Sequence, residues 1–144
     1  MRMLTEGSKL IIKKGTSTLW VEPWGENSLR VRMTNDPTMD ENDWALTEKL
    51  AETNATLTLE TIDVTDPWYK PEAYAKYHQT GTKATLVNGK ITAKVSTEGW
   101  ISFYNQQEEL LTEEYWRNRE RMNRFCVPLG VSAREMEPIL GTTD

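Results

Sequence analysis

The sequence predicts an all-β protein built as an antiparallel β-sandwich, and three observations carry that expectation. Apolar and polar residues alternate with a period of two in several short stretches, β-branched residues concentrate in them, and glycine, asparagine and proline separate them. No regular succession of helices interleaves with these stretches, which argues against a parallel sheet covered by helices. One domain is expected from 144 residues that are 38% hydrophobic and 27% charged.

Residues 9–13 and 18–22 read as two strands around a Lys14-Gly15 turn. Gly25-Glu26-Asn27 then separates Trp24 from residues 29–33, where Leu29, Val31 and Met33 fall on one face and Arg30 and Arg32 on the other. Three strands are therefore expected before residue 35. Residues 55–62 form a fourth, with Ala55, Leu57 and Leu59 on one face, threonines opposite, and Ile62 off the pattern as an end or a bulge. Residues 82–87 and 90–96 flank Asn88-Gly89, a dipeptide that favours positive φ at both positions of a tight hairpin turn. Residues 100–104 lead through Asn105-Gln106-Gln107-Glu108 into residues 109–112, so 82–112 should be a four-strand meander. In all, about eight or nine strands are expected from this spacing.

Two stretches do not alternate: residues 34–50, rich in Asp, Asn and Pro, and residues 63–79, which contain Pro67-Trp68-Tyr69-Lys70-Pro71. Connections of that length in a compact domain usually serve function. Residues 113–124 place acids ahead of bases, which suits either a helix or an irregular solvated crossing. The chain contains neither an internal repeat nor a linker composition.

Charge and residue counts narrow the function classes. A formal charge of −5 lacks the basic excess that binds nucleic acid or anionic lipid, so neither is expected as a partner. There is no long apolar run and no signal-peptide pattern, and the expected compartment is the cytoplasm. A single cysteine, Cys126, and a single histidine, His78, do not supply the ligand set of a Cys/His zinc site; Cys126 reads as a small buried hydrophobe and His78 as a loop residue. Asn54-Ala55-Thr56 matches a glycosylation triplet by chance. Phosphate loops, nucleophile elbows and zinc-protease motifs are absent. No cofactor and no metal are expected.

Asp36, Asp40, Glu41 and Asp43 cluster ahead of Trp44, but the glycine of a calcium loop is missing, and the run reads first as a solvated acidic loop. Glycosidase chemistry requires two carboxyl groups held about 5 to 9.5 Å apart across a sugar bond, a relation that one acidic run does not establish. No catalytic residue is therefore nominated. Of the six tryptophans, Trp20 and Trp100 on strands are expected in the core. Trp44 and Trp68 lie in the long loops, where a flat ring can cover the apolar patches of a sugar. The substrate-binding candidates are accordingly Asp36, Asp40, Asp43, Trp44 and Trp68.

Several segments in sequence order resemble the N-terminal domain of glycoside hydrolase family 31, which includes α-glucosidases and α-xylosidases. They are Leu19-Trp20-Val21, Ser28-Leu29-Arg30-Val31-Arg32-Met33-Thr34, Val87-Asn88-Gly89-Lys90-Ile91-Thr92-Ala93-Lys94-Val95, and Gly99-Trp100-Ile101-Ser102-Phe103-Tyr104-Asn105 with Glu109-Leu110-Leu111-Thr112-Glu113. Near the end, Ala133-Arg134-Glu135-Met136-Glu137-Pro138-Ile139-Leu140-Gly141 is similar to the segment that precedes the catalytic barrel in that family. These are strand patterns rather than catalytic signatures, and their order gives them weight.

The resemblance implies a galactose-mutarotase-like supersandwich over residues 1–144, ending before a (β/α)8 barrel that holds the aspartate nucleophile and acid/base of a retaining mechanism. It implies a fragment inactive by itself, with the barrel of the same polypeptide as its partner and an oligosaccharide as substrate of the longer enzyme. A sandwich loop reaching the barrel mouth would help shape the sugar pocket; residues 35–44 are the first candidate and residues 63–78 the second. The alternative reading is a free-standing carbohydrate-binding β-sandwich that uses Trp44 or Trp68. Exposed edge strands would also invite self-association.

Overall fold

A computed structural model describes residues 1–42, 54–64, 80–114 and 136–138. These residues form ten strands in two antiparallel sheets. β1 (Arg2–Glu6), β2 (Lys9–Lys14), β3 (Ser17–Trp24) and β4 (Ser28–Thr34) make a four-stranded sheet in sequence order. The six-stranded sheet runs β10 (Met136–Pro138), β9 (Leu110–Glu114), β8 (Ile101–Tyr104), β7 (Ile91–Val95), β6 (Thr80–Asn88) and β5 (Thr56–Asp63). The expected antiparallel sandwich and the meander from β6 to β9 are both present.

The alternation seen in the sequence explains the core. Leu10 and Ile12 of β2 and Leu19 and Val21 of β3 point inward, opposite Ala84 and Leu86 of β6, Ala93 and Val95 of β7, and Ile101 of β8. Each fully buried Leu, Ile or Val side chain among these contributes about 1.5 to 3 kcal/mol through loss of apolar surface to water. Leu29 and Met33 pack against the same cluster, while the arginines between them face outward, as expected. At the edge strands the inner face opens: Val31 of β4 is 41% exposed and Leu59 of β5 is 39% exposed.

Four details differ from the sequence expectation. Four strands, not three, precede residue 35, because residues 2–6 pair with β2 from Arg2↔Lys13 to Glu6↔Lys9. β5 continues in register through Ile62↔Gly81 to Asp63↔Thr80, so Ile62 marks neither an end nor a bulge; the register shift lies between Phe103 and Tyr104. Trp20 is not in the core. Leu19 and Val21 occupy the inner face of β3 and turn Trp20 to the outer one, and Trp100 is half-buried with its Nε1 donating to Glu98 Oε2 at 2.9 Å.

The fourth difference concerns the central hairpin. Asn88 pairs with Ile91 as the last rung of the ladder, which leaves Gly89-Lys90 as the turn. Only Gly89 has positive φ (60°), the pattern of a type II′ connection rather than one with both residues left-handed. The cause is on the opposite sheet. Asn88 is fully buried, and its Nδ2 donates to Gly25 O at 2.9 Å and Ser28 O at 2.7 Å, the two ends of the β3–β4 turn. Asn27 returns the contact, its Oδ1 accepting from Lys90 N at 2.9 Å. A Cβ on Gly89 would collide with Glu26 O and Asn27 Oδ1.

At the far end the sheets meet again. Lys14 Nζ reaches Glu98 O at 3.4 Å, and Gly99 (φ 87°) lies against Met1. Nearby Glu114, 8% exposed, ties β9 to the start of β8 by accepting from Ile101 N at 2.8 Å. The segment 115–124, expected as a helix or a solvated crossing, lies outside the described residues, as do His78 and Cys126.

Candidate functional site

The outer face of the four-stranded sheet carries the densest group of aromatic and charged side chains among the described residues. Strand pairing builds it. Trp20 lies opposite Ile11 on β2 and Arg32 on β4, and Glu22 lies opposite Arg30. Since partners across an antiparallel pair project to the same face, these residues form one patch. Lys9 Nζ sits 3.9 Å from the centre of the Trp20 ring, and Arg32 Cζ approaches it at 5.1 Å from the other neighbouring strand. Arg30 Cζ covers Trp24 at 4.8 Å. Each such contact contributes about 0.5 to 1 kcal/mol at a partly exposed site.

Glu22 joins the two arginines. Its Oε1 accepts from Arg32 Nε at 3.1 Å and lies 2.9 Å from Arg32 Nη2, with Arg30 Nη1 at 3.9 Å. This double approach by one guanidinium fixes the direction of the Arg32 fork. Its third nitrogen, Nη1, then donates to the main-chain oxygen of Asp40 at 3.1 Å. The patch thus fixes where the acidic loop leaves the sheet.

Within that loop, Asp36 and Asp40 are exposed and used locally. Asp36 N donates to Thr34 Oγ1 at 3.0 Å, and Asp40 Oδ1 accepts from Asn42 N at 2.9 Å. Asn35, at the root of the loop, accepts from Ser17 Oγ at 2.6 Å. The described half of the loop is therefore anchored at its root and at Asp40. Asp43, Trp44 and Trp68 lie outside the described residues. The structure brings Asp40 to Arg32 but does not bring Asp36 into the same contact. No group of three or more His, Cys, Asp or Glu side chains that could hold a metal occurs among the described residues.

The expected site list omitted Lys9, Glu22, Arg30 and Arg32. Their signal was the alternation of arginines on β4, which becomes a charge ladder only when Glu22 on β3 falls opposite them.

No protein-family model matches the chain. A family 31 glucosidase, ORF2, of Pseudescherichia vulneris is 33% identical over 132 residues, covering 85% of this chain and 21% of that protein. Among solved structures, a GH31 α-xylosidase from a soil metagenome, complexed with xylose, is 36% identical with a TM-score of 0.65, covering 96% of this chain and 19% of that one. The chain spans about a fifth of the length of both relatives. The two matches name one family, and they agree with the sandwich described above: the chain is similar to a segment of family 31 glycoside hydrolases.

Proposed function

We propose that this chain is the non-catalytic N-terminal domain of a retaining α-glycoside hydrolase, packed on a catalytic barrel in the same polypeptide. The observation that carries the reading is the 36% identity and TM-score of 0.65 to a segment amounting to 19% of an α-xylosidase structure. The larger remainder of such a protein is where the reaction resides. Asp36 and Asp40 fit this division, since both are exposed and the Asp40 carboxylate is engaged by the backbone N–H of Asn42. The relatives' names include a glucosidase and an α-xylosidase, and the enzyme proposed here removes terminal α-linked glucose or xylose from oligosaccharides in the cytosol.

In this reading the domain shapes the sugar pocket through its acidic loop. Arg32 holds the loop at Asp40, and the sugar contacts proposed for it are Asp43 and Trp44, the next candidates in the sequence, with Trp68 as the second contributor. The test compares hydrolysis of p-nitrophenyl α-glucoside and α-xyloside by this chain and by the longer protein, together with Trp44→Ala in the latter. Activity confined to the longer protein and a raised KM in Trp44→Ala are expected. Activity in the chain alone would overturn the domain role. An unchanged KM and sugar preference would remove the loop from the pocket.

A further inference from the structure

Asn88-Gly89 is the dipeptide in which an asparagine loses its amide most readily, because no side chain shields the amide nitrogen that follows. In that reaction the Gly89 nitrogen attacks Asn88 Cγ and forms a new N–Cγ bond. The Cγ–Nδ2 bond breaks, and Nδ2 departs as ammonia with the bonding pair and the proton released by Gly89. Water then opens the resulting succinimide to aspartate or isoaspartate. No oxidant or reductant takes part.

The fold opposes every stage of this chemistry. Asn88 has 0% exposure, which keeps water from the ring-opening step. Its leaving group is Nδ2, held at 2.9 Å by Gly25 O and 2.7 Å by Ser28 O. Asn88 is also locked in the β6–β7 ladder opposite Ile91, and Gly89 is enclosed by Glu26 O and Asn27 Oδ1. Reaction therefore requires the β3–β4 turn to lift from the β6–β7 hairpin.

The product would not fit back. An aspartate at 88 would present a carboxylate where two carbonyl oxygens converge, so a donor would be replaced by a buried negative charge facing acceptors. Isoaspartate would in addition lengthen the backbone by one bond at the ladder's last rung. We propose that Asn88 is a latent deamidation site, gated by separation of the two sheets, and that its modification makes that separation permanent.

The test follows deamidation at Asn88 by peptide mapping in mildly alkaline buffer, for the whole 144-residue chain and for a free peptide of residues 84–94. Modification through a rare opening tracks the population of the open form, so the chain should react at least about tenfold more slowly than the peptide without denaturant. In concentrated urea the two rates should converge. Equal rates without urea would overturn the gating. After modification in urea and dilution, native gels should show the folded band retaining Asn88 and the unfolded band enriched in aspartate and isoaspartate. Equal modification in both bands would overturn the permanence.

Discussion

Two polar clusters flank the β3–β4 hairpin, and they differ chiefly in access to water. On the inner side, one neutral amide, Asn88, bridges Gly25 O and Ser28 O at 0% exposure. On the outer side, Lys9, Glu22, Arg30 and Arg32 surround two tryptophans, with side chains 14% to 20% exposed. The outer cluster has more contacts and formal charges. The inner one should nonetheless hold more of the fold's stability, because the outer side chains keep part of their surface in water and are partly rehydrated when a pair breaks, whereas a broken bond at fully buried Asn88 strands its acceptors. Contact number is thus a poor guide to energy here, and solvent access is a better one.

The largest effect that would sharpen this comparison comes from Asn88→Leu. It keeps the bulk of the side chain and removes both donors, leaving two carbonyls without them, at a cost of about 2 to 4 kcal/mol. Equilibrium urea unfolding reads this as a lower midpoint at unchanged slope. Gly89→Ala should follow at about 2 kcal/mol, combining the left-handed φ with the collision at Glu26 O. The smallest effect belongs to Glu22→Gln, which removes the charge shared by Arg30 and Arg32 and should cost about 1 kcal/mol, falling as salt is added. A loss at Glu22 as large as that at Asn88 would break the comparison.

Much of the sandwich was legible because the buried strands keep a period-two inner face. β7 alternates cleanly, and β2, β3 and β6 keep their aliphatic inner positions despite Ile11, Trp20 and Val87 on the outer face, so period two reveals them without knowledge of the partner strand. β1 escaped because Met3 pairs with Ile12 on the inner face while Leu4 pairs with Ile11 on the outer one, so its apolar residues do not alternate. β10 escaped because three residues ending in proline carry almost no strand signal.

Asn88 was misread for a different reason. Local preference favours Asn-Gly as a turn, but two carbonyls more than fifty residues earlier in the chain draw Asn88 into the ladder. The candidate loop was legible in composition alone. Its anchoring by Arg32 depends on Glu22 and Asp40 meeting across separate segments, which no single stretch of sequence displays.

The seam at Asn88 also bears on the order of events in folding. Each hairpin closes over a few residues, whereas the bonds from Asn88 to Gly25 and Ser28 join positions 63 and 60 residues apart. Such distant contacts are expected to form after the hairpins themselves, because closing the long intervening chain costs entropy first. A contact made that late does little to hasten folding and acts mainly on the rate of escape. Asn88 therefore acts as a latch that prolongs the lifetime of the closed sandwich.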